Sequence, residues 1–151
     1  MLNTVKTILN NRQWQFTQVE EHGVLFFGIS GQNGTFQCFT IVEEEGYKFI
    51  FVSVCGANTP TERKSEMLEL LTRINYETFL GNFEMQYETG EVRFRTSIYY
   101  KTISTDIVLV DHLIMTNIMK MDNYLPAIMG VMFGGLTAID AIKLIDKDQI
   151  K

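Results

Sequence analysis

The sequence is poor in the residues that metal sites, disulfide frameworks and nucleic-acid interfaces use. Its 151 residues include only 2 cysteines, 2 histidines and 2 prolines, and its net charge is -5. So few cysteines and histidines argue against a zinc module or a disulfide scaffold. An acidic chain is not attracted to phosphate backbones or anionic lipid, so we expect no nucleic-acid partner and no membrane partner.

Targeting and membrane-spanning segments are also missing from the pattern. The uncharged stretch from Asn123 to Ile139 contains Pro126 and is shorter than the about 20 apolar residues that a spanning helix needs. The first residues lack a basic segment followed by an apolar run, so no secretory signal is predicted. Cys38 and Cys55 both fall in predicted strands, as buried free thiols do. These features predict a cytoplasmic protein.

What the chain does have is enough apolar material for an ordered domain. Hydrophobic residues make up 46% of the sequence and aromatic residues 12%. A chain of this length buries roughly 68–70% of its unfolded surface as one domain. We therefore predict a single domain over residues 1–151, of the α+β class, with one antiparallel sheet of hairpins, a short N-terminal helix, a middle helix and C-terminal helices.

The first part of the chain predicts one short helix followed by four strands. Leu2, Val5 and Ile8 recur at helical spacing until Asn10-Asn11 ends the pattern. Aromatic and β-branched residues then form four runs separated by glycine-containing turns, at residues 14–19, 24–30, 35–43 and 47–55. The third and fourth runs do not alternate cleanly, which predicts central strands covered on both faces.

A capped helix and a further hairpin are predicted next. Thr59-Pro60-Thr61-Glu62 is a capping-box pattern, so a helix is expected from Thr59 to about Tyr76. Alternating residues then predict a hairpin that turns at Thr89-Gly90. With a two-residue turn, Glu84 would lie opposite Arg95.

The C-terminal part predicts two or three short helices. Apolar residues from Asp106 onward leave only a narrow polar stripe near His112, Thr116 and Lys120. Asp122-Asn123 is expected to cap a new helix that has Pro126 in its first turn. So much apolar helix surface predicts burial on more than one side.

No catalytic, cofactor or metal site is predicted. His22 is expected in a turn and His112 on a helix, without other metal ligands at suitable spacing. Asp111 and His112 are adjacent on a helix and point in different directions. The glycines from Gly28 to Gly34 match no nucleotide-binding fingerprint. We predict that the protein is not an enzyme and needs no cofactor.

Two groups of residues are candidates for binding. Methionines are concentrated in the C-terminal helices, and flexible thioethers suit surfaces that repack against partners. The predicted dimer or partner contacts are Met115, Ile118, Met119, Met129 and Met132. Core filling, subunit contact and partner contact all remain open for them. Glu43, Glu44 and Glu45 form a predicted acidic rim at a hairpin tip, which either selects basic partners or protects the strand edge.

The order of several short motifs resembles a known family. These motifs are Trp14-Gln15-Phe16, Leu25-Phe26-Phe27-Gly28, Arg73-Ile74-Asn75-Tyr76, Gly81-Asn82-Phe83-Glu84, Thr89-Gly90-Glu91-Val92-Arg93-Phe94-Arg95 and Ala138-Ile139-Asp140-Ala141-Ile142. From about Val5 to Ile145 the chain resembles the YbjN-like family of small bacterial proteins, called sensory-transduction regulators. Their fold is similar to that of type III secretion chaperones. The resemblance implies a commonly dimeric module with no established enzymatic activity.

Two functions from different classes are consistent with these observations. The first is a chaperone-like or regulatory homodimer, built on the C-terminal helices, that binds segments of an unidentified partner protein. The second is a small-ligand sensor with a pocket between the sheet and the C-terminal helices, lined by residues such as Phe26, Phe51, Tyr99 and Met119. An open groove would favour the first, and a closed pocket with convergent polar groups would favour the second.

Overall fold

The computed structural model describes residues 1–19, 23–101 and 106–145, and it is an α+β fold built on one sheet. The strands are β1 (Thr17–Val19), β2 (Val24–Ser30), β3 (Thr35–Glu43), β4 (Lys48–Asn58), β5 (Asn82–Met85) and β6 (Glu91–Tyr99). The helices are α1 (Leu2–Asn11), α2 (Lys64–Glu77), α3 (Ile107–Met132) and α4 (Ala138–Ile142). The predicted fold class is confirmed.

The sheet consists of antiparallel neighbours in the order β1-β2-β3-β4-β6-β5. The hairpins from β1 to β4 are consecutive in the chain, whereas α2 is inserted between β4 and β5. As a result β6 pairs with β4, and β5 lies at the edge. The bounds of β2 and β3 are the predicted ones, since their apolar runs end at sharp turns.

All four helices contribute to one core on one face of the sheet, here called the inner face. Buried side chains of the helices and of alternate strand residues form a single apolar cluster. Phe49, Phe51 and Phe94 lie at its centre and are fully buried. The long helix α3 packs across β4 and β6 at this position.

The prediction that the central strands are covered on both faces holds only at Val52, which is 2% exposed, whereas the neighbouring apolar residues of the face opposite the helices are half-buried. Phe26, Phe39 and Val52 are paired across β2, β3 and β4, and they point away from the apolar cluster. Val24, Ile41 and Ile50 form the next row on this outer face. No helix in the described part of the chain packs on it. The irregular apolar pattern of β3 and β4 reflects an apolar outer face, because both faces of these strands carry aromatic and β-branched residues.

The predicted capping box at Thr59 is also wrong. A 3₁₀ turn, Thr61–Arg63, precedes α2, and the Thr59 hydroxyl is buried without a partner among the described residues. The backbone N–H of Thr59 instead donates to the carbonyl of Gly90, 2.8 Å away. A Cβ at Gly90 would lie 2.2 Å from the carbonyl oxygen of Thr59. The β5–β6 loop thus approaches Thr59 too closely for any residue but glycine.

The register of the second hairpin differs from the prediction by two residues. Glu84 is opposite Arg93, and Asn82 is opposite Arg95, because the loop spans residues 86–90 rather than two residues. The expected ion pair between Glu84 and Arg95 nevertheless forms, between residues that are diagonal to each other on the two strands. Glu84 Oε1 lies 2.5 Å from Arg95 Nη2, and Glu84 Oε2 lies 2.8 Å from Arg93 Nη2.

The predicted helix break at Asp122-Asn123 is wrong, since α3 continues for 26 residues. Pro126 lies inside α3 and cannot donate to the carbonyl of Asp122. The true caps are Asp106, whose carboxylate accepts from the N–H of Leu109 at 2.8 Å, and Thr137, which caps α4. Packing of α3 along its whole length against the sheet and the other helices outweighs the cost of one lost hydrogen bond.

Candidate protein-binding surfaces

The five residues predicted for subunit or partner contact do not share one environment. Ile118 and Met132 belong to the core, with exposures of 7% and 3%. Met119 and Met129 face outward, with exposures of 51% and 38%, and Met115 is half-buried. Ile118 and Met132 therefore fill the core, and the outward-facing residues are the ones accessible to another chain.

Met129 belongs to an apolar patch at the C-terminal end of α3, which we call the end patch. It consists of Met129, Phe133 and Leu144, of which Phe133 and Leu144 are 61% and 53% exposed. Phe133 follows Met129 by about one helical turn. Leu144 packs beside Gly130, where its Cδ1 lies 3.5 Å from the position that a Cβ would take. Three exposed apolar side chains thus lie near the C-terminal end of α3.

Contacts from the start of α2 hold the backbone of this region. Arg63 Nε donates to the carbonyl of Val131 at 2.8 Å, and its guanidinium also donates to the carbonyl of Leu136. The Glu66 carboxylate accepts from the backbone N–H of Ala138 at 2.5 Å. These bonds satisfy main-chain groups that the ends of α3 and α4 leave without helical partners. The end patch is therefore presented by a well-bonded backbone.

The predicted acidic rim is largely engaged within the chain. Glu43 pairs with Lys48 at 2.7 Å. Glu44 accepts from the backbone N–H of Leu2 and from the Tyr100 hydroxyl, each at 3.0 Å. The hydrogen bond from Leu2 is the main reason why the pKa of Glu44 lies below its usual value. Glu44 thus anchors the start of α1 on the β3–β4 turn, and Glu45 alone of the three forms no ion pair with another described residue.

A groove of about 540 Å³ opens between the end of β2 and α3, and we call it the edge groove. Its lining residues are Trp14, Gly28, Ile29, Ser30, Gly31, Gln32, Ile118, Met119, Asp122 and Asn123. Trp14 is held there by stacking on Phe27, with ring centroids 5.7 Å apart. The groove lies between the sheet and a C-terminal helix, as predicted for a ligand pocket, but it is open to one side.

Most of the residues predicted to line that pocket lie elsewhere. Met119 does line the edge groove, whereas Phe51 is fully buried in the core. Phe26 and Tyr99 are exposed on the outer face of the sheet. The prediction placed both faces of the strands in one pocket, because a strand pattern does not tell which face a distant helix covers.

Among the described residues that line the edge groove, Asp122 is the only charged one, and its carboxylate is already bonded. It accepts from the backbone N–H groups of Gln32 and Asn33, each at 2.9 Å. A Cβ at Gly31 would lie 2.1 Å from Asp122 Oδ1, so glycine is required beside it. This contact was not predicted, because the local sequence pattern around Asp122 is that of a helix cap. Asp122 ties the β2–β3 turn to α3.

A second contact that the sequence analysis missed is a buried polar network under α3. Asn117 Nδ2 donates to the carbonyls of Phe51 and Phe94, at 3.0 and 3.1 Å. Its Oδ1 accepts from the Ser53 hydroxyl at 2.6 Å. A single amide thereby joins α3 to two strands. The signal in the sequence was an uncharged polar residue among apolar helix positions that face the sheet.

The two thiols are buried and poorly suited to nucleophilic chemistry. Burial raises the pKa of Cys38 to about 12, although its contact with Ser53 at 3.3 Å acts in the opposite direction. Burial also raises the pKa of Cys55. A thiol whose pKa is raised has little thiolate at neutral pH and reacts slowly.

The remaining candidate groups do not form a reactive site. Asp111 binds Arg12, with oxygen–nitrogen distances of 2.9 and 2.7 Å, and His112 is exposed on α3. His22 lies outside the described residues. Within residues 1–19, 23–101 and 106–145, no three His, Cys, Asp or Glu side chains are arranged to hold a metal ion. Among the described helices, none has the length and apolarity needed to cross a bilayer.

Comparisons with known proteins agree on family and fold. The model of the YbjN family, "Putative bacterial sensory transduction regulator", matches residues 2–129. The crystal structure of YbjN from E. coli, described as "a putative transcription regulator", is similar in fold, with a TM-score of 0.61 at 12% identity. The match covers 89% of this chain and 91% of that one. No curated protein matches the sequence.

Proposed function

Because this chain belongs to the YbjN family, whose members are described as bacterial sensory transduction regulators, we propose that it is a non-enzymatic module that binds segments of a partner protein. It acts as a homodimer in the cytoplasm, in a regulatory or chaperone-like role. The observation that supports this proposal is the pair of separate apolar surfaces along α3, the end patch and the edge groove.

The end patch is the proposed subunit interface. Met129, Phe133 and Leu144 are apolar and exposed near the C-terminal end of α3, and such a patch favours association when it remains uncovered. A twofold axis beside the end of α3 would place the same three residues of each copy together. Met115 and Met119 lie nearer the start of α3, away from the end patch, which leaves them available for a different contact.

The edge groove is the proposed site for a partner segment. Its walls are apolar at Trp14, Ile118 and Met119, and its one carboxylate is bonded to the β2–β3 turn. An apolar groove of this kind accepts a helix or an added strand. Glu45, exposed at the β3–β4 turn, is the rim carboxylate that can still favour a basic partner.

The solution mass of Met129→Lys tests the dimer. The proposed interface would remove water from the three apolar side chains, and an unpaired ammonium group among them would be unfavourable. We therefore expect Met129→Lys to be a folded monomer at micromolar concentration, where the unaltered chain is a dimer. The matched control is Val108→Lys, which places a lysine at a 70% exposed apolar position at the other end of α3. Dimers in both variants, or a monomeric unaltered chain at high concentration, would contradict the interface.

Met119→Lys tests partner binding separately from dimerisation. Because Met119 is 51% exposed, a lysine there can reach solvent, and we expect the chain to remain folded and dimeric. Retention of partner proteins from a native lysate should fall, since the charge would stand in the groove. Full retention by both lysine variants, each still a dimer, would contradict the whole proposal.

A small-ligand sensor is the second candidate, and the size of the edge groove favours it. A volume of about 540 Å³ lies within the range of roughly 300–1,000 Å³ that small-molecule sites occupy. The carboxylate of Asp122 is engaged with the β2–β3 turn, so it is not free to orient a ligand. Native mass spectrometry of the purified protein separates the two candidates, because a sensor would carry a discrete small molecule that Met119→Lys displaces.

A further inference from the structure

One edge of the sheet is incomplete where it meets the edge groove. The short strand β1 pairs with β2 only at Val24, Leu25 and Phe26. The partner strand β3 pairs with β2 as far as Ser30. Residues 27–30 of β2 therefore have a neighbouring strand on one side only. The chain before β1 does not continue the pairing, because it turns toward α1 at Gln13, which has a positive φ of 58°.

The hydrogen-bond pattern identifies the main-chain groups that face this open side. In an antiparallel pair, consecutive residues point their N–H and C=O groups alternately to the two sides of the strand. Gly31 donates to Gly34 at 2.8 Å, and Gly23 accepts from Val42 at 3.2 Å, so odd-numbered residues of β2 bond toward β3. The same alternation turns the main-chain groups of Gly28 and Ser30 away from β3. No described residue forms a hydrogen bond with them on that side.

The open edge and the apolar groove are one feature. Gly28, Ile29 and Ser30 supply one wall of the edge groove, and Ile118 and Met119 of α3 face them. Two donors and two acceptors thus stand beside an apolar floor. Gly28 and Ser30 are two residues apart along β2, which spaces their groups by about 6.8 Å, the repeat of an extended chain.

We propose that an extended segment of a partner protein adds to β2 as a strand at Gly28 and Ser30, in line with β1. This inference rests on the proposed function and specifies how the partner binds. Alternate side chains of the segment would point toward Ile118 and Met119, so apolar residues at every second position fit the groove. A polypeptide is favoured over a small molecule because its backbone matches donors and acceptors at a strand repeat.

Amide hydrogen exchange in the free protein tests the premise. The N–H groups of Gly28 and Ser30 should exchange quickly, whereas the N–H of Ile29, which bonds toward β3, should exchange slowly. Slow exchange at Gly28 and Ser30 in a dilute sample would overturn the proposal, because the edge would already be paired. Protection that appears only as the concentration rises would also overturn it, since a second copy of the chain would then be the occupant.

Phage-displayed random dodecapeptides, selected on the full chain, test the binding mode. We expect selected peptides with apolar residues at alternate positions, and their binding should slow the exchange of Gly28 and Ser30. Ser30→Pro removes an N–H on the open side, which an edge strand tolerates, and should weaken binding by about tenfold or more. Unchanged affinity in a Ser30→Pro chain with a native thermal midpoint would overturn strand addition.

N-methylation of the selected peptide tests the same contact without altering the protein. Methyl groups on every second peptide amide, those that face Gly28 and Ser30, should abolish binding. Methyl groups on the intervening amides are the matched control and should have little effect. Equal sensitivity at all amides would overturn the proposal. If no peptide protects Gly28 and Ser30 while Met129→Lys still dissociates a dimer that retains partners, strand addition fails and the proposed function stands.

Discussion

The two faces of the sheet carry similar residues but have different surroundings. The inner face includes Thr40, Ser53 and Thr96, which are almost fully buried beneath the helices. The outer face includes Phe39, Ile41 and Ile50, which no described helix covers. Polar residues on the inner face are thus more fully buried than these apolar residues on the outer face, which are half-buried. Composition does not tell which face of a sheet becomes the core, because the helices that cover it are distant in sequence.

The buried hydroxyls are stable on the inner face because each has a specific partner. Ser53 donates to Asn117, and Thr96 donates to the carbonyl of Leu113 at 3.2 Å. Thr40 accepts from the backbone N–H of Leu25 at 3.3 Å. A buried polar group costs little when it is bonded and much when it is not. These hydroxyl groups give the inner-face strands a polar sequence pattern, and their hydrogen bonds help to fix where the helices pack on that face.

The largest difference between the two faces is expected in the free energy of unfolding that is lost when a phenylalanine on each face is replaced by alanine. Phe51→Ala removes a fully buried ring that contacts Phe27 at 6.0 Å between centroids, and should lower the free energy of unfolding by about 3–5 kcal/mol. Phe26→Ala on the outer face, where the ring is 45% exposed, should cost under about 1 kcal/mol. Denaturant unfolding measures both. A similar loss for Phe26→Ala would mean that the outer face is covered in solution.

Thiol labelling compares how accessible the inner and outer faces of the sheet are to a reagent. Cys38 and Cys55 lie on the inner face with raised pKa values, so both should react at least about a hundredfold more slowly than an exposed thiol. Ser97→Cys introduces the matched thiol on the outer face of β6, where the native residue is exposed. Labelling of the native protein followed by mass spectrometry measures the rates. Rapid modification of Cys38 or Cys55 would contradict their burial and would indicate a reactive thiol.

Removal of the Asn117 amide tests the polar part of the inner face. Asn117→Ala leaves the Ser53 hydroxyl without its acceptor and removes the side-chain donor that two strand carbonyls share, and should cost about 2 kcal/mol. Adding Ser53→Ala should cost less in this variant than in the unaltered chain, because the two side chains share one network. Additive losses in the double-mutant cycle would show that the network is not coupled.

The ion pairs of the outer face should have the smallest effect. Burial alone would raise the pKa of Glu84, but hydrogen bonds from Asn82 and Arg93 and the charges of Arg95 and Arg93 lower it overall. A lowered pKa in the folded state means that the stabilisation is present above the ordinary value of 4.5 and is lost as the pH falls further. After allowance for solvent screening, Glu84→Gln should cost about 0.5–1 kcal/mol at neutral pH.

The pH profile of unfolding provides the check on Glu84. The difference in stability between the unaltered chain and Glu84→Gln should shrink as the pH falls from 4.5 through the lowered pKa of the folded state, since Glu84 becomes protonated over that range. The control is Glu69→Gln, which removes an exposed i,i+4 pair with Arg73 on α2. A difference that stays constant with pH would show that Glu84 acts through shape rather than charge.

Local patterns in the sequence predicted the elements well where neighbours in the chain decide the structure. The strands β2 and β3 have their predicted bounds, because the turn between them is closed by Gly31 and Gly34. The start of α3 also follows from a local signal, since Asp106 caps it. The resemblance to the YbjN family is confirmed for the same reason, as it rests on the order of such motifs.

The errors occur where a contact between distant segments overrides a local signal. Thr59 looks like a helix cap, but its N–H bonds to the loop at Gly90. Asp122 looks like a cap as well, but it binds the β2–β3 turn across the edge groove. Of the candidate contact residues, Met119 and Met129 could not be separated from Ile118 and Met132 by sequence, because all lie on a helix that is apolar on almost every side.

The sequence by itself determined the α+β class, the hairpins and the helical tail, because hydrophobic period and turn residues act within a few positions of the chain. Only the tertiary structure decided which sheet face α3 covers and which methionines remain outside. It also decided that β1 pairs with β2 only as far as Phe26, which leaves Gly28 and Ser30 unpaired by β1 beside an apolar groove. These outcomes depend on contacts between residues about ninety positions apart, such as Gln32 with Asp122, and no local pattern encodes them.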